Sequence, residues 1–190
     1  MNLPNRLTFG RLVLTVLFLC AMFWRARYND TLALLIFSAA SLTDYYDGKI
    51  ARRDKLITNF GTLMDPLADK ILICSAFIAF VGRGKVPAWM AVIIVARELA
   101  ITGLRLLAAT KNVLLAAEAY GKQKTVSQIA AILVLLVAES FEEWGDWAVR
   151  VFKPWMPALA YVALSVTVTL TFTSGVLYLW RNRQLYLRDM

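Results

Sequence analysis

Six apolar stretches occupy most of this 190-residue chain, and most approach the roughly 20 residues that an α-helix needs to cross a bilayer. The chain is 59% hydrophobic, its mean hydropathy is +0.59 and only 18% of its residues are charged, which is unusual for a soluble domain. We therefore predict an all-α polytopic membrane protein in which residues 1–190 form a single domain. The predicted transmembrane helices cover residues 7–24, 32–47, 62–81, 88–109, 126–138 and 156–180.

The distribution of basic residues predicts the orientation of these helices, because cytoplasmic loops carry an excess of Lys and Arg. If both termini are cytoplasmic, the richer set falls inside: Arg6, Arg11, Arg52, Arg53, Lys55, Lys111, Lys122, Lys124, Arg181, Arg183 and Arg188. The outside then receives the smaller set of Arg25, Arg27, Arg83, Lys85, Arg150 and Lys153, together with Trp24, Trp89, Trp144, Trp147 and Trp155 as an interfacial belt. We therefore expect the net charge of +8 to set the topology and to attract anionic lipid headgroups. No nucleic-acid partner is expected, since the basic residues are spread over successive loops.

The two cysteines both lie inside apolar stretches. Cys20 falls in the first stretch and Cys74 in the third. We expect both to be small buried residues that form no disulfide and bind no metal.

Four aspartates lie in or beside the second and third stretches, where a charge is costly. Asp44 and Asp47 are three residues apart, and Asp65 and Asp69 are four apart, so each pair shares one face of its helix. A short loop joins the two helices, which places both pairs at one depth near the cytoplasmic end. Each aspartate at the centre of a membrane costs about 2.5 to 3.5 kcal/mol. Four together therefore require a compensating positive charge.

A divalent cation is the compensating charge that the sequence predicts. The chain has no histidine and both cysteines lie elsewhere, whereas carboxylate oxygens suit Mg²⁺ or Mn²⁺. Two such ions held by four carboxylates clamp the attacking and leaving oxygens in phosphoryl transfer. The alternative is that the aspartates only form ion pairs, which explains neither their spacing nor their membrane position. The cations available for such pairs are Lys49, Arg52, Arg53 and Lys70.

Small and basic residues between the aspartates complete a longer pattern. Gly48 follows Asp47 directly, Ala51 and Arg52 come one turn later, and Gly61 lies near the start of the third helix. Glycine permits close approach of a ligand, and arginine matches the geometry of a diphosphate. The complete pattern is D-x2-D-G-x2-A-R-x8-G-x3-D-x3-D, and it resembles the signature of the CDP-alcohol phosphotransferases.

Enzymes of that family join a CDP-activated substrate to an alcohol and release CMP. They use divalent metal on a six-helix membrane core and commonly form homodimers. The resemblance implies that Asp44, Asp47 and Asp65 bind metal, and that Asp69 lies beside the metal and acts as the general base. It further implies a CDP site lined by Gly48, Ala51, Arg52 and Gly61.

Four further segments indicate the acceptor alcohol. LPNRLTFGR at 3–11, ITNFGTLMDPLADK at 57–70, ARELAITGLRLLAA at 96–109 and YGKQKTVSQ at 120–128 resemble the branch of the family that uses glycerol 3-phosphate. By that resemblance, CDP-diacylglycerol and glycerol 3-phosphate give phosphatidylglycerophosphate and CMP, a step of phospholipid biosynthesis.

Basic residues are expected to bind this acceptor, because it is a dianion arriving from the cytoplasm. Arg105, Lys122 and Lys124 lie at or near the cytoplasmic end and are the main candidates for its phosphate. Arg97 is a further candidate, about 80° around the helix from Arg105. The alternatives are that Arg97 pairs with Glu98 inside the bundle, and that the two lysines serve only topology.

Two other functions remain open from the sequence. A sister transferase acting on inositol phosphate, serine or phosphatidylglycerol would share the aspartates but need different polar residues across 97–124. A cation carrier would also place carboxylates in a membrane, yet it would be expected to show inverted repeats and carboxylates at the midplane. The sequence shows no internal repeat, and its carboxylates flank one loop.

Overall fold

The computed structural model describes residues 3–24, 26–54, 59–111 and 119–187, and within them the side chains of 9–24, 26–43, 67–68, 70–111 and 123–185. All regular structure in these ranges is helical. The helices are α1 (Leu3–Phe23), α2 (Asn29–Asp54), α3 (Asn59–Gly82), α4 (Ala88–Thr110), α5 (Ala119–Ser140), α6 (Asp146–Phe152), α7 (Met156–Arg181) and α8 (Arg183–Leu187). A single 3₁₀ turn, Phe141–Trp144, connects α5 to α6.

All six predicted helices are present as α1 to α5 and α7. The largest differences lie at polar ends, where α2 continues to Asp54 and α5 begins at Ala119. Hydropathy ends a predicted span at a charge, whereas the backbone continues through charged residues that are compatible with a helix. The short α6 and α8 were not predicted.

One apolar core joins the six long helices. Phe18 on α1, Phe37 on α2 and Phe77 on α3 are fully buried, as are Ile94 on α4 and Ile132 on α5. The Phe18 and Phe37 rings lie 5.6 Å apart at 55°. The core therefore fixes the relative positions of the helices that carry the sequence motif.

The outer surface of the bundle is also apolar. Gln123–Trp144 and Met156–Arg181 are each long and apolar enough to cross a membrane, yet only 39% and 33% of their most apolar windows are buried. The core helix of a soluble protein would be mostly buried. Large side chains such as Val92, Leu99 and Phe172 project outward, beyond what a soluble monomer usually exposes. This distribution is consistent with a membrane protein.

The expectation that both cysteines are buried is wrong for Cys20. Cys20 is exposed on α1, and Cys74 is partly buried on α3. Cys20 lines an open groove between α1 and α2 with Leu17 and Leu32. Apolar sequence context alone does not predict burial, because an apolar helix can leave one face on the outside of the bundle, as α1 does at Cys20.

The bundle end away from the motif is tied together by a polar network. Glu143 accepts hydrogen bonds from the backbone N–H groups of Asp30 and Thr31, at 3.0 and 2.9 Å, and so caps the start of α2. Arg83 pairs with Asp30, and its Nη2 lies 3.1 Å from Glu139 Oε2. The hydrogen bond to Asp30 raises the pKa of Arg83, aided by the nearby carboxylates. Arg83 therefore keeps its charge at every pH below strong alkali. Its ion pairs lose no stabilising free energy through deprotonation of Arg83 in that range.

The predicted tryptophan belt lies at this same end. Trp24 follows α1, Trp89 lies in the first turn of α4, Trp144 ends the 3₁₀ turn, Trp147 lies in α6 and Trp155 directly precedes α7. Four of the five are exposed, whereas Trp144 is partly buried and donates to the Thr31 hydroxyl at 2.9 Å. Exposed tryptophans grouped at one end of an apolar bundle are typical of a membrane interface.

Candidate active site

The two halves of the aspartate motif lie on consecutive helices that meet at one end of the bundle. Only four residues separate the end of α2 at Asp54 from the start of α3 at Asn59, so these ends are at most about 18 Å apart. Asp47 lies seven residues before the end of α2 and Asp65 six residues after the start of α3, about 10 Å along each helix. Asp44 and Asp69 each lie ten residues in, about 15 Å along. Asp47 therefore matches Asp65 in depth, and Asp44 matches Asp69.

The helices that carry the motif pack against other helices of the bundle. Helices α2 and α3 each pack against α1 and α5, and α4 packs against α3 and α7. The side chains of Asp44, Asp47, Asp65 and Asp69 lie outside the described residues, as do those of Gly48, Ala51, Arg52, Gly61 and Lys122. Their predicted roles therefore rest on sequence spacing and on the position of each residue along its helix.

A hydrogen bond links α3 to α4 beside the last aspartate. Lys70, the residue after Asp69, donates to the Thr102 hydroxyl. That hydroxyl donates in turn to the backbone carbonyl of Glu98, at 2.7 Å. The 98–102 turn of α4 therefore lies level with Asp69 on α3.

A buried charged cluster is built around Glu98 at this level. Glu98 and Lys124 are each 4% exposed, and their side chains form a close ion pair between α4 and α5. Arg97 Nη1 lies 3.5 Å from Glu98 Oε1. Gln128, which is fully buried, places Nε2 3.4 Å from both Glu98 Oε1 and the Thr171 hydroxyl of α7. One carboxylate thus contacts two cations and an amide where α4, α5 and α7 meet.

Arg97 is positioned by a glycine on α7. A β-carbon added at Gly175 would lie 2.8 Å from Arg97 Cγ, so the stem of the arginine occupies the space that glycine leaves. Arg97 Nε is buried and has no hydrogen-bond partner among the described residues. The guanidinium therefore keeps donor capacity beyond its contact with Glu98.

Arg105 lies two turns further along α4 and is exposed. Its guanidinium carbon is 5.9 Å from the centre of the Tyr178 ring, a cation–π distance. The Tyr178 hydroxyl is buried without a hydrogen-bond partner among the described residues. Arg97 and Arg105 are thus both held by α7, from its Gly175 to Tyr178 turn.

The donor set of the motif fits a hard divalent cation. The described side chains contain no cluster of three or more His, Cys, Asp or Glu able to hold a metal. The four aspartates are outside that set, and an all-carboxylate group at matched depth offers the oxygen ligands that Mg²⁺ and Mn²⁺ prefer. Chemistry and helix position are therefore compatible with the predicted metal.

Sequence reasoning missed part of this cluster. It offered Arg97 as a partner for Glu98, whereas the closer partner of Glu98 is Lys124. It did not single out Gln128, Thr171 or Gly175. The available signal was Glu98 itself, because it is the one acidic residue in the apolar stretch that forms α4.

A model of the CDP-alcohol phosphatidyltransferase family matches residues 1–178 of this chain. The chain belongs to the CDP-alcohol phosphatidyltransferase family. The resemblance inferred from the aspartate motif is thereby confirmed, and with it the prediction of a phosphatidyltransferase. A cation carrier is no longer a competing hypothesis.

Similar proteins cover most of the chain. A Bacillus subtilis protein named CDP-diacylglycerol–glycerol-3-phosphate 3-phosphatidyltransferase is 39% identical over 193 residues, 95% of each chain. A Mycobacterium tuberculosis protein named probable phosphatidylglycerophosphate synthase is 36% identical over 183 residues, 95% of this chain and 81% of the relative. A Rickettsia felis protein with the same name as the Bacillus protein is 35% identical over 136 residues, 72% of this chain and 75% of the relative. Two of these relatives thus align with 95% of the chain, and the third aligns with 72% of it.

Proposed function

We propose that this protein transfers the phosphatidyl group of CDP-diacylglycerol to glycerol 3-phosphate, giving phosphatidylglycerophosphate and CMP in phospholipid biosynthesis. The observation that carries the proposal is the level of the Glu98 cluster: buried cations lie at the depth of Asp69, where an anionic acceptor must meet the aspartate motif. The names of the three relatives above support the same acceptor.

The aspartate motif is proposed to hold the nucleotide end of the lipid substrate. Asp44, Asp47 and Asp65 would hold divalent metal, Mg²⁺ or Mn²⁺, as two ions with Asp69 alongside. Bound metal neutralises the pyrophosphate and stabilises the charge that develops on the departing CMP. Gly48, Ala51, Arg52 and Gly61 would line the CDP site, with Arg52 facing the diphosphate.

The proposed reaction is an in-line displacement at phosphorus. The 1-hydroxyl oxygen of glycerol 3-phosphate attacks the β-phosphorus, which carries diacylglycerol, while Asp69 accepts the hydroxyl proton. The bond from that phosphorus to the bridging pyrophosphate oxygen breaks, and CMP leaves with the electron pair. The protein's contribution is positioning and electrostatic stabilisation, which dominate phosphoryl transfer.

The acceptor phosphate is proposed to bind on the α4–α5–α7 side of the motif. Arg97 brings a buried Nε that has no hydrogen-bond partner in the described part of the chain, and Lys124 brings an ammonium held inside the bundle. The burial of Lys124 against Glu98 argues against a purely topological role, because a lysine that only sets topology needs no buried partner. Arg105 lies nearer the end of α4, and with Lys122 it would meet the phosphate at the entrance.

The membrane arrangement is proposed from the same charges. We infer six spanning helices, both termini on the cytoplasmic side, and an active site on that side of the inner or plasma membrane. The tryptophans at the opposite end of the bundle support this orientation. Residues 1–190 would act as one domain within a homodimer, as the family resemblance implies.

The experiment that tests the proposal is an acceptor panel. Purified protein is incubated with CDP-diacylglycerol, Mg²⁺ and one acceptor at a time: glycerol 3-phosphate, inositol phosphate, serine or phosphatidylglycerol. CMP release and the lipid product are measured. The proposal requires that glycerol 3-phosphate alone supports turnover and yields phosphatidylglycerophosphate. Turnover with another acceptor, and none with glycerol 3-phosphate, would assign a sister activity.

A further inference from the structure

Glu98 is a buried acid that the proposed reaction does not use. It is 4% exposed in the middle of α4, in a helix whose other residues are apolar, small or basic apart from Trp89 and two threonines. A carboxylate buried there is costly unless it is paired and hydrogen-bonded. Its partners therefore indicate why the chain carries it.

The partners of Glu98 are unequal. Lys124 forms a close ion pair with Oε1, whereas Arg97 Nη1 reaches the same oxygen only at 3.5 Å. Arg97 Nε, also buried, has no hydrogen-bond partner among the described residues. Arg97 thus keeps a donor able to meet an anion, and Glu98 holds it beside the Lys124 ammonium.

Gln128 fixes the carboxylate that both cations share. It is fully buried and places Nε2 3.4 Å from Glu98 Oε1 and from the Thr171 hydroxyl. The orientation of Glu98 is thereby tied to α5 and α7 as well as to α4. A fixed carboxylate holds its cations in one geometry, which lowers the entropic cost of binding an anion between them.

We propose that Glu98 is a positioning residue for the acceptor phosphate. It holds the Lys124 ammonium and the Arg97 guanidinium inside the bundle, at the level of Asp69, so that both are in place before the dianion arrives. Glu98 itself does not touch the substrate. This inference rests on the proposed function, because it assumes an acceptor that carries a phosphate.

The competing interpretation is that the Glu98 pair only stabilises the fold. The chain offers a matched control for it in Glu139, whose side chain is 9% exposed and lies 3.1 Å from Arg83 and 2.9 Å from Lys85. Glu139 also bridges two cations, but it lies at the end of the bundle away from the aspartate motif. Glu98→Gln and Glu139→Gln therefore remove the same charge from the same kind of cluster at opposite ends.

The test is the kinetics of the two variants in detergent, with each substrate varied in turn. Glu98→Gln is expected to raise KM for glycerol 3-phosphate about tenfold or more, because the loss of a charged hydrogen bond releases both cations. In the same variant, KM for CDP-diacylglycerol should change by less than about threefold. In Glu139→Gln, both KM values should stay within about threefold of those of the parent protein. Loss of thermal stability in both variants, with no change in the acceptor KM of Glu98→Gln, would overturn the proposal.

A second variant keeps the test decisive if Glu98→Gln does not fold. Glu98→Asp keeps the charge but retracts it by one methylene, so its acceptor KM is expected to rise by about threefold to tenfold, and kcat to stay near that of the parent. An unchanged acceptor KM in Glu98→Asp would contradict positioning. Failure of the inference is separable from failure of the proposed function, since only the latter abolishes use of glycerol 3-phosphate by the unaltered protein.

Discussion

The contact between Arg97 and Gly175 shows how one small residue positions a candidate substrate-binding cation. The stem of Arg97 occupies the place that a side chain at 175 would take. Neither residue suggests the other in the sequence, since they lie on different helices and far apart along the chain. Their pairing depends on the packing of α4 against α7, which propensity and spacing do not determine.

Gly175→Ala is expected to displace Arg97. The added β-carbon would lie 2.8 Å from Cγ, near the base of the side chain, where bending away is difficult. We expect overpacking to cost about 1 to 3 kcal/mol of stability. We also expect KM for glycerol 3-phosphate to rise about fivefold or more, as when one hydrogen bond is lost.

Gly103→Ala is the matched control for that variant. Gly103 lies in α4, and nothing is within 4 Å of a β-carbon built there. Alanine should therefore be neutral or stabilise α4 by up to about 1 kcal/mol. Equal acceptor KM values for the two variants, measured beside their melting temperatures, would show that the space at Gly175 has no bearing on acceptor binding.

The sequence predicts the arrangement of the aspartates better than that of the acceptor-binding cations. Fixed spacing of three and four residues predicts which aspartates share a helix face, and the four residues between α2 and α3 make their depths match. For Lys124 the sequence indicates a charge near one end of a helix, but its burial against Glu98 depends on how α5 meets α4. Local patterns therefore predict the metal end of the site better than the acceptor end.

Long helices were predictable and their connections were not. Apolar runs of nearly bilayer length predict α1 to α5 and α7, because a helix that crosses a bilayer must be mainly apolar over that length. The 3₁₀ turn and α6 are held by contacts such as those of Trp144 and Phe152, whose rings lie 6.0 Å apart. The segment that makes these contacts is short and shows no helical periodicity of apolar residues, so the sequence pattern does not predict it.

The cap on α2 provides a test at the scale of one element. Glu143→Ala removes the acceptor of the Asp30 and Thr31 N–H groups and of the Thr31 hydroxyl. We expect a loss of about 1 to 3 kcal/mol and a fall in the melting temperature of about 2 to 10 °C. Turnover at a permissive temperature should be unchanged, because the cap is at the end away from the motif.

Glu142→Ala is the control for the cap. Glu142 is the neighbouring carboxylate and is exposed. Its removal should shift the melting temperature by less than about 2 °C, as is usual for surface substitutions. Equal shifts for the two variants would contradict the assignment of Glu143 as the cap of α2.

At the scale of the whole molecule, most of the tryptophans lie at one end of an apolar bundle, whereas the basic end of α7 lies at the other. Trp147 and Trp155 lie at the end that carries the Glu143 network, whereas Arg181 and Arg183 lie at the far end of α7, beside Trp180. Such polarity orients a helical bundle in a bilayer, because basic residues are retained on the cytoplasmic side. The lipid and nucleotide substrates would then meet at the cytoplasmic interface.

Thiol labelling in intact cells tests this orientation. Cys20 and Cys74 are the only cysteines, so Cys20→Ala with Cys74→Ala gives a background without thiols. Glu142→Cys or Gln184→Cys then adds one exposed site at either end. We expect a membrane-impermeant maleimide to label the first variant in intact cells and the second only after lysis. The reverse pattern would invert the proposed topology and place the active site outside.

The central claim is that the aspartate motif carries out transfer to glycerol 3-phosphate with Asp69 as the base. The most direct measurement is Mg²⁺-dependent release of CMP from CDP-diacylglycerol in the presence of glycerol 3-phosphate. It compares the parent protein, Asp69→Asn and the control Asp146→Asn, whose carboxylate lies in the first turn of α6. The account predicts that Asp69→Asn lowers kcat by about 10²-fold or more while its elution and melting temperature stay unchanged, and that Asp146→Asn turns over normally. Normal turnover by a folded Asp69→Asn would contradict it.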